Sequence, residues 1–106
     1  MDNNYLFHYK IGIVYTDIDW ASNLVNNFIK NINKNSIVRY RVGKHNLELV
    51  LNTGLHIIGI PGTESLRGRA LDKAIVQNTV SQDFIYKVIL PICKNTRCIN
   101  EEGQPI

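Results

Sequence analysis

Only two cysteines occur among the 106 residues, Cys93 and Cys98. Two thiols do not complete a tetrahedral zinc site, and His8, His45 and His56 are scattered, not set at ligand spacing. No metal or other cofactor is expected. The plain reading of the cysteines is a reduced pair in an intracellular protein; the alternative is a local disulfide across a short loop. Long apolar runs are missing too. The longest have four or five residues, against the roughly 20 of a membrane helix, and the chain opens on Asp2-Asn3-Asn4 instead of a basic segment leading into an apolar one. A soluble, unsecreted protein without an anchor is expected, cytoplasmic in a host cell. There are three prolines and one tryptophan, and no internal repeat or low-complexity segment.

Acidic residues are absent over one long window. Between Trp20 and Leu47 there is none, while Lys30, Lys34, Arg39, Arg41 and Lys44 all fall there. The net charge of +3 is thus concentrated, and one surface should be electropositive, which favours phosphate-bearing partners. What is abundant is Ile (15) and Asn (13), with Lys at 7, residues with AT-rich codons, as a low-GC bacterium, a phage or another virus would encode. A chain of this length buries only about 60 to 65% of its unfolded surface. Its core should be modest, and a partner or a homo-oligomer would reinforce it.

The pattern along the chain is α/β. Residues 10–16 read as a buried strand. Thr16, Asp17 and Asp19 offer N-cap oxygens to a helix over 20–33, whose apolar face carries Trp20, Ala21, Leu24, Val25, Phe28, Ile29 and Ile32. The period then changes to 2. In 36–42, Val38, Tyr40 and Val42 alternate with Ile37, Arg39 and Arg41; residues 43–46 read as a turn, 47–51 as a strand, 52–54 as a tight loop and 55–60 as a third strand, together a β-meander. Pro61 and Gly62 stop it. A connection over 63–72 leads to a short strand at 73–78, then to a helix over 81–94 capped by Ser81 and bent or ended by Pro91. The expectation is a small mixed sheet with a β-meander and two amphipathic helices, one domain over 1–95, and an extended or frayed tail over 96–106.

The order of a hairpin at Leu51–Ile60, an Arg-Gly element Arg67-Gly68-Arg69, an apolar strand, two polar residues Gln77-Asn78 and a helix reaching Leu90-Pro91 resembles the ATPase domain of the tailed-phage large terminase subunit. There the apolar strand ends in an Asp-Glu pair that holds magnesium and activates water. The departures are chemical. The pattern G-x-x-x-x-G-K-[ST], which wraps a triphosphate, is absent, and Gln77 and Asn78 neither neutralise magnesium nor take a proton. The resemblance implies a degenerate, catalytically inactive relative, not an enzyme. Ser65, in Gly62-Thr63-Glu64-Ser65, also lacks the flanking glycines of a nucleophile elbow.

Binding residues follow from charge. Arg39 and Arg41 on one strand face, Lys44 beyond them, and Arg67 and Arg69 in a Gly-containing loop are the phosphate-binding candidates, because guanidinium forks match phosphate oxygens. Asp17 and Asp19, directly after the first strand, serve either a ligand or the helix N-terminus. Three functions are expected: a non-catalytic phage or viral protein holding nucleic acid or a nucleotide on its basic face; a module that inhibits a host defence or replication factor by meeting an acidic protein surface; or an oligomer that sequesters a cyclic nucleotide signal.

Overall fold

The structure is a computed structural model that describes residues 9–44, 46–62, 70–93 and 98–106. It is an α/β protein with a six-stranded mixed sheet. The strands are β1 (Tyr9–Tyr15), β2 (Ile37–Val42), β3 (Leu47–Leu51), β4 (Leu55–Pro61), β5 (Lys73–Val76) and β6 (Cys98–Ile99), in the order β2-β3-β4-β1-β5-β6. β1 pairs in parallel with β4 and β5, β5 in parallel with β6, and β2-β3-β4 form the expected antiparallel meander. Gly54 closes the β3–β4 turn at φ 100, a left-handed conformation that a side chain would strain.

Period-2 alternation puts one set of side chains on each face, and each face receives one helix. Helix α1 (Ile18–Ile29) covers Ile13, Tyr15, Leu47, Leu49, Leu51 and Ile57 through Ala21 and Val25, with Trp20 half-buried beside them. The second helix, α2, runs as α-helical Gln82–Phe84, π-helical Ile85–Ile89 and α-helical Leu90–Ile92. It covers Val14, Ile58, Ile60, Leu71, Ala74 and Val76 through Ile85 and Ile89. The successors of the adjacent strands β1 and β5 therefore leave on opposite faces, which makes the carboxyl ends of these strands a topological switch point.

Four local expectations shift. α1 begins at Ile18 because Asp17 is its N-cap, accepting from the backbone N–H of Asp19. It ends at Ile29, before an Asn-rich stretch in which side chains bond the backbone: Asn31 donates to the Asn27 carbonyl, and Asn33 caps a 3₁₀ turn, Lys34–Ser36. Pro91 neither stops α2 nor passes unnoticed. It has no N–H to give to Lys87 and its ring crowds that carbonyl; the preceding turn widens to π geometry, Leu90 donates to Ile85, and the helix continues to Ile92.

The fourth concerns the C-terminal residues, expected as extended or frayed. Cys98 and Ile99 instead extend the sheet beside β5, and Ile106 donates back to the Cys98 carbonyl. Asn100 organises the turn between them, its side chain accepting from the N–H groups of Glu102 and Gln104. Among the described residues no helix is long and apolar enough to cross a membrane.

Candidate functional site

β2 is the outer strand of the sheet, and both of its faces are open. The expected apolar row is broken: Tyr40 and Val42 stand on the α1 side, where the Tyr40 hydroxyl meets Asn26, and Val38 falls in the bulge between Ile37 and Arg39; the three remain 39, 45 and 61% exposed. Arg39 and Arg41 share the opposite face, which α2 leaves uncovered at this end of the sheet because it packs over β1, β5 and Ile58. Lys44 follows in the turn, exposed. Lys30 and Lys34, at the end of α1 and in the 3₁₀ turn, are exposed where the chain enters β2. The cations of the acid-free window thus border the β2 end of the sheet, Lys30 and Lys34 with α1 and Arg39 and Arg41 on the opposite face.

The first acid after that window faces this edge. Glu48 on β3 is the cross-strand neighbour of Arg41, yet its carboxylate turns to Arg39 at 3.6 Å and to His56 Nε2 at 2.9 Å. Burial raises the Glu48 carboxyl, but the hydrogen bond and charge of His56, with Arg39 adding to them, outweigh it and hold the group below its ordinary value. Among the described residues no carboxylate pairs with Arg41, Lys44, Lys30 or Lys34. These cations are available to a ligand. Arg67 and Arg69 lie outside the described residues.

Asp17 and Asp19 are placed as helix-terminal groups: Asp17 caps α1, and Asp19 occupies its first turn, where a carboxylate meets the positive end of the helix dipole. Gln77 lies just past β5, opposite them. Its Oε1 accepts from the N–H of Thr16 at 2.9 Å, from that of Asp17 at 3.0 Å and from the Thr16 hydroxyl at 3.3 Å. Asn78 turns outward, its N–H donating to Glu101 at 2.7 Å and its side-chain amide to Glu102 at 3.1 Å. A cleft of about 330 Å³ lies between these residues, the start of α2 and Ile106. Asn78 and Glu102 in its wall bond to each other, and among the described residues no group of three or more His, Cys, Asp or Glu side chains is placed to hold a metal ion.

Sequence reasoning missed three participants. Glu48 and His56 were legible in principle, because a hairpin register that pairs β2 with β3 places Glu48 opposite the arginines. The third is an open depression of about 680 Å³ on the polar side of α1, lined by Asn23, Asn26, Asn27, Ile29, Lys30 and Lys34. Periodicity marked those asparagines as the solvent face and gave no sign that β2 borders them. No protein-family model matches the chain, and no curated protein or solved structure matches it significantly.

Proposed function

We propose that this chain is a non-catalytic nucleic-acid-binding protein of phage or viral type, a degenerate relative of the terminase ATPase domain that holds a phosphate backbone along its β2 edge. The observation that carries the reading is that Lys30, Lys34, Arg39, Arg41 and Lys44 all border the exposed β2 end of the sheet, where the cross-strand carboxylate, Glu48, is engaged by Arg39 and His56. Cations spread along an open edge suit a polymer with repeated phosphates better than one nucleotide, which a closed pocket would grip. The missing triphosphate loop and the neutral Gln77-Asn78 pair support holding without turnover.

Titration of fluorescent DNA and RNA oligonucleotides, with a nucleotide panel beside them, tests this over a range of salt. Binding should fall linearly in log–log form with salt, and Arg41→Ala should lower the slope by about 1. Absence of binding to every probe at low salt would end the reading. The open β2 edge with Val38 and Val42 favours a second reading, an acidic host-protein partner. A specific host protein retained from nuclease-treated lysate, with no oligonucleotide bound, would support it instead. Stoichiometric capture of a cyclic nucleotide would favour sequestration.

A further inference from the structure

The depression on α1 differs in chemistry from the arginine face on the other side of β2. Asn23, Asn26 and Asn27 stand at i, i+3 and i+4 along α1, so their amides project to the same side. Each carries two N–H donors and a carbonyl acceptor, the inventory that matches a nucleobase edge. Ile29 adds apolar surface, and Lys30 and Lys34 supply positive charge at one side. No carboxylate of the described residues lines the space. Its volume of about 680 Å³ falls within the range of small-ligand sites, roughly 300 to 1,000 Å³.

Tyr40 borders it. The phenol hydroxyl donates to Asn26 Oδ1, which ties the ring to the rim of the depression. Val42, two residues on along the same face of β2, is exposed beside Tyr40, while Val38 falls in the bulge between Ile37 and Arg39. An exposed aromatic ring with an apolar neighbour, beside amides and lysines, has the parts of a stacking platform for an unpaired base. Duplex major-groove readers instead present a helix that protrudes. Here α1 lies against the sheet, and the depression is formed by its outer face and the turn at Lys34, with Tyr40 of β2 bonded to Asn26 at its rim.

We infer that the α1–β2 depression is a nucleobase subsite, so that the ligand of the basic edge is single-stranded nucleic acid, its phosphates along the cations and an unstacked base against Tyr40 and the asparagines. The inference rests on the nucleic-acid reading of the edge and specifies which form of nucleic acid is bound.

The test is fluorescence anisotropy with three probes of equal length, a single strand, the same strand with abasic sites, and the duplex, each as DNA and RNA. The single strand should bind about tenfold more tightly than the abasic strand at the same salt slope, since one stacked base supplies a factor of that order. Tyr40→Ala and Asn27→Ala, both exposed positions, should reduce that ratio toward one while leaving the abasic affinity unchanged; Tyr40→Phe should retain most of it. Salt-dependent binding that is equal for base-bearing and abasic strands, or tighter for the duplex, overturns the subsite and leaves the basic edge standing. Failure of all probes to bind overturns both.

Discussion

Gln77 and Thr16, 61 residues apart in sequence, are joined at the switch point of the sheet: the Gln77 side-chain carbonyl accepts the Thr16 N–H at 2.9 Å. The same oxygen takes the N–H of Asp17, so one amide fixes the exit of β1 and the cap of α1. Gln77→Ala leaves two backbone donors without that acceptor. A loss of about 2 kcal/mol is expected from urea denaturation, because an orphaned donor costs roughly 1–3 kcal/mol and water reaches the exposed end of the site. Gln77→Glu keeps an acceptor there and should lose less. Equal losses for the two variants would show that the oxygen is not what matters.

Two glycines separate by what their missing Cβ would strike. At Gly59 it would meet the Leu47 Cβ at 2.7 Å, an atom fixed to backbone; at Gly12 it would meet the Leu71 and Ile60 methyls at 2.7 and 2.8 Å. Methyl groups turn away more easily than a Cβ. Gly59→Ala should therefore cost about 2–3 kcal/mol, the upper part of the overpacking range, and Gly12→Ala about 1 kcal/mol. Thermal or urea midpoints would rank them.

Among the described residues, Glu48 is the negative charge that faces the arginine row. Glu48→Gln should tighten oligonucleotide binding roughly fivefold, the effect of about 1 kcal/mol for an exposed charge interaction, as measured by anisotropy at low salt. It should also change acid stability. The folded chain holds the Glu48 proton more weakly than the unfolded chain, so the contribution is present above the ordinary pKa of 4.5 and is lost as pH falls below it. Urea midpoints of the variant should lose that part of the acid sensitivity.

Arg39 and Arg41 guard the edge that carries them. Two copies of β2 pairing antiparallel about Tyr40 would set Arg39 directly opposite Arg41 of the second copy, and like charges in that relation are unfavourable. Replacing both by Thr removes the repulsion and leaves a β-favouring edge. Sedimentation velocity should show self-association of the double variant at lower concentration than the parent. Identical profiles would remove this role from the arginines.

Cys98 is buried beside Cys93, and burial, followed by the hydrogen bond and charge of Cys93, pushes its thiol up to about 12. Thiol reagents should label the native protein slowly at pH 8 and rapidly once it is denatured. The sign of the pH effect follows. Between the ordinary 9.0 and about 12 the folded chain keeps a proton that the unfolded chain releases, so stability is intact below pH 9 and declines above it. Cys98→Ala should flatten that alkaline decline.

Periodicity was enough for the meander, for both helices and for the shared face of Arg39 and Arg41, because alternation and the 3.6-residue stripe are written locally. It failed where a distant strand decides. The Val38-Tyr40-Val42 alternation has the pattern of a core face, yet a bulge before Arg39 takes Val38 out of it and turns Ile37, expected beside the arginines, toward the α1-side core, while the position of β2 at the end of the sheet leaves the three exposed. β6 was invisible for the same reason. Two residues beside β5 and a turn built on the Asn100 side chain have no period, and their order depends on Glu101 and Glu102 meeting Asn78, more than 20 residues away. The candidate site was half legible: its cations lie in one window of sequence, whereas the Asn-lined depression forms only once the turn at Lys34 folds back beside α1.

The sheet order also sorts electricity. Five cations sit at the β2 end, while Glu101 and Glu102 are held at the β6 end, four strands beyond β3. Among the described residues, opposite ends of the sheet thus carry opposite charge. Should the β2 edge hold a polyanion as proposed, the Glu101–Glu102 turn would stand at the far end of the sheet from it.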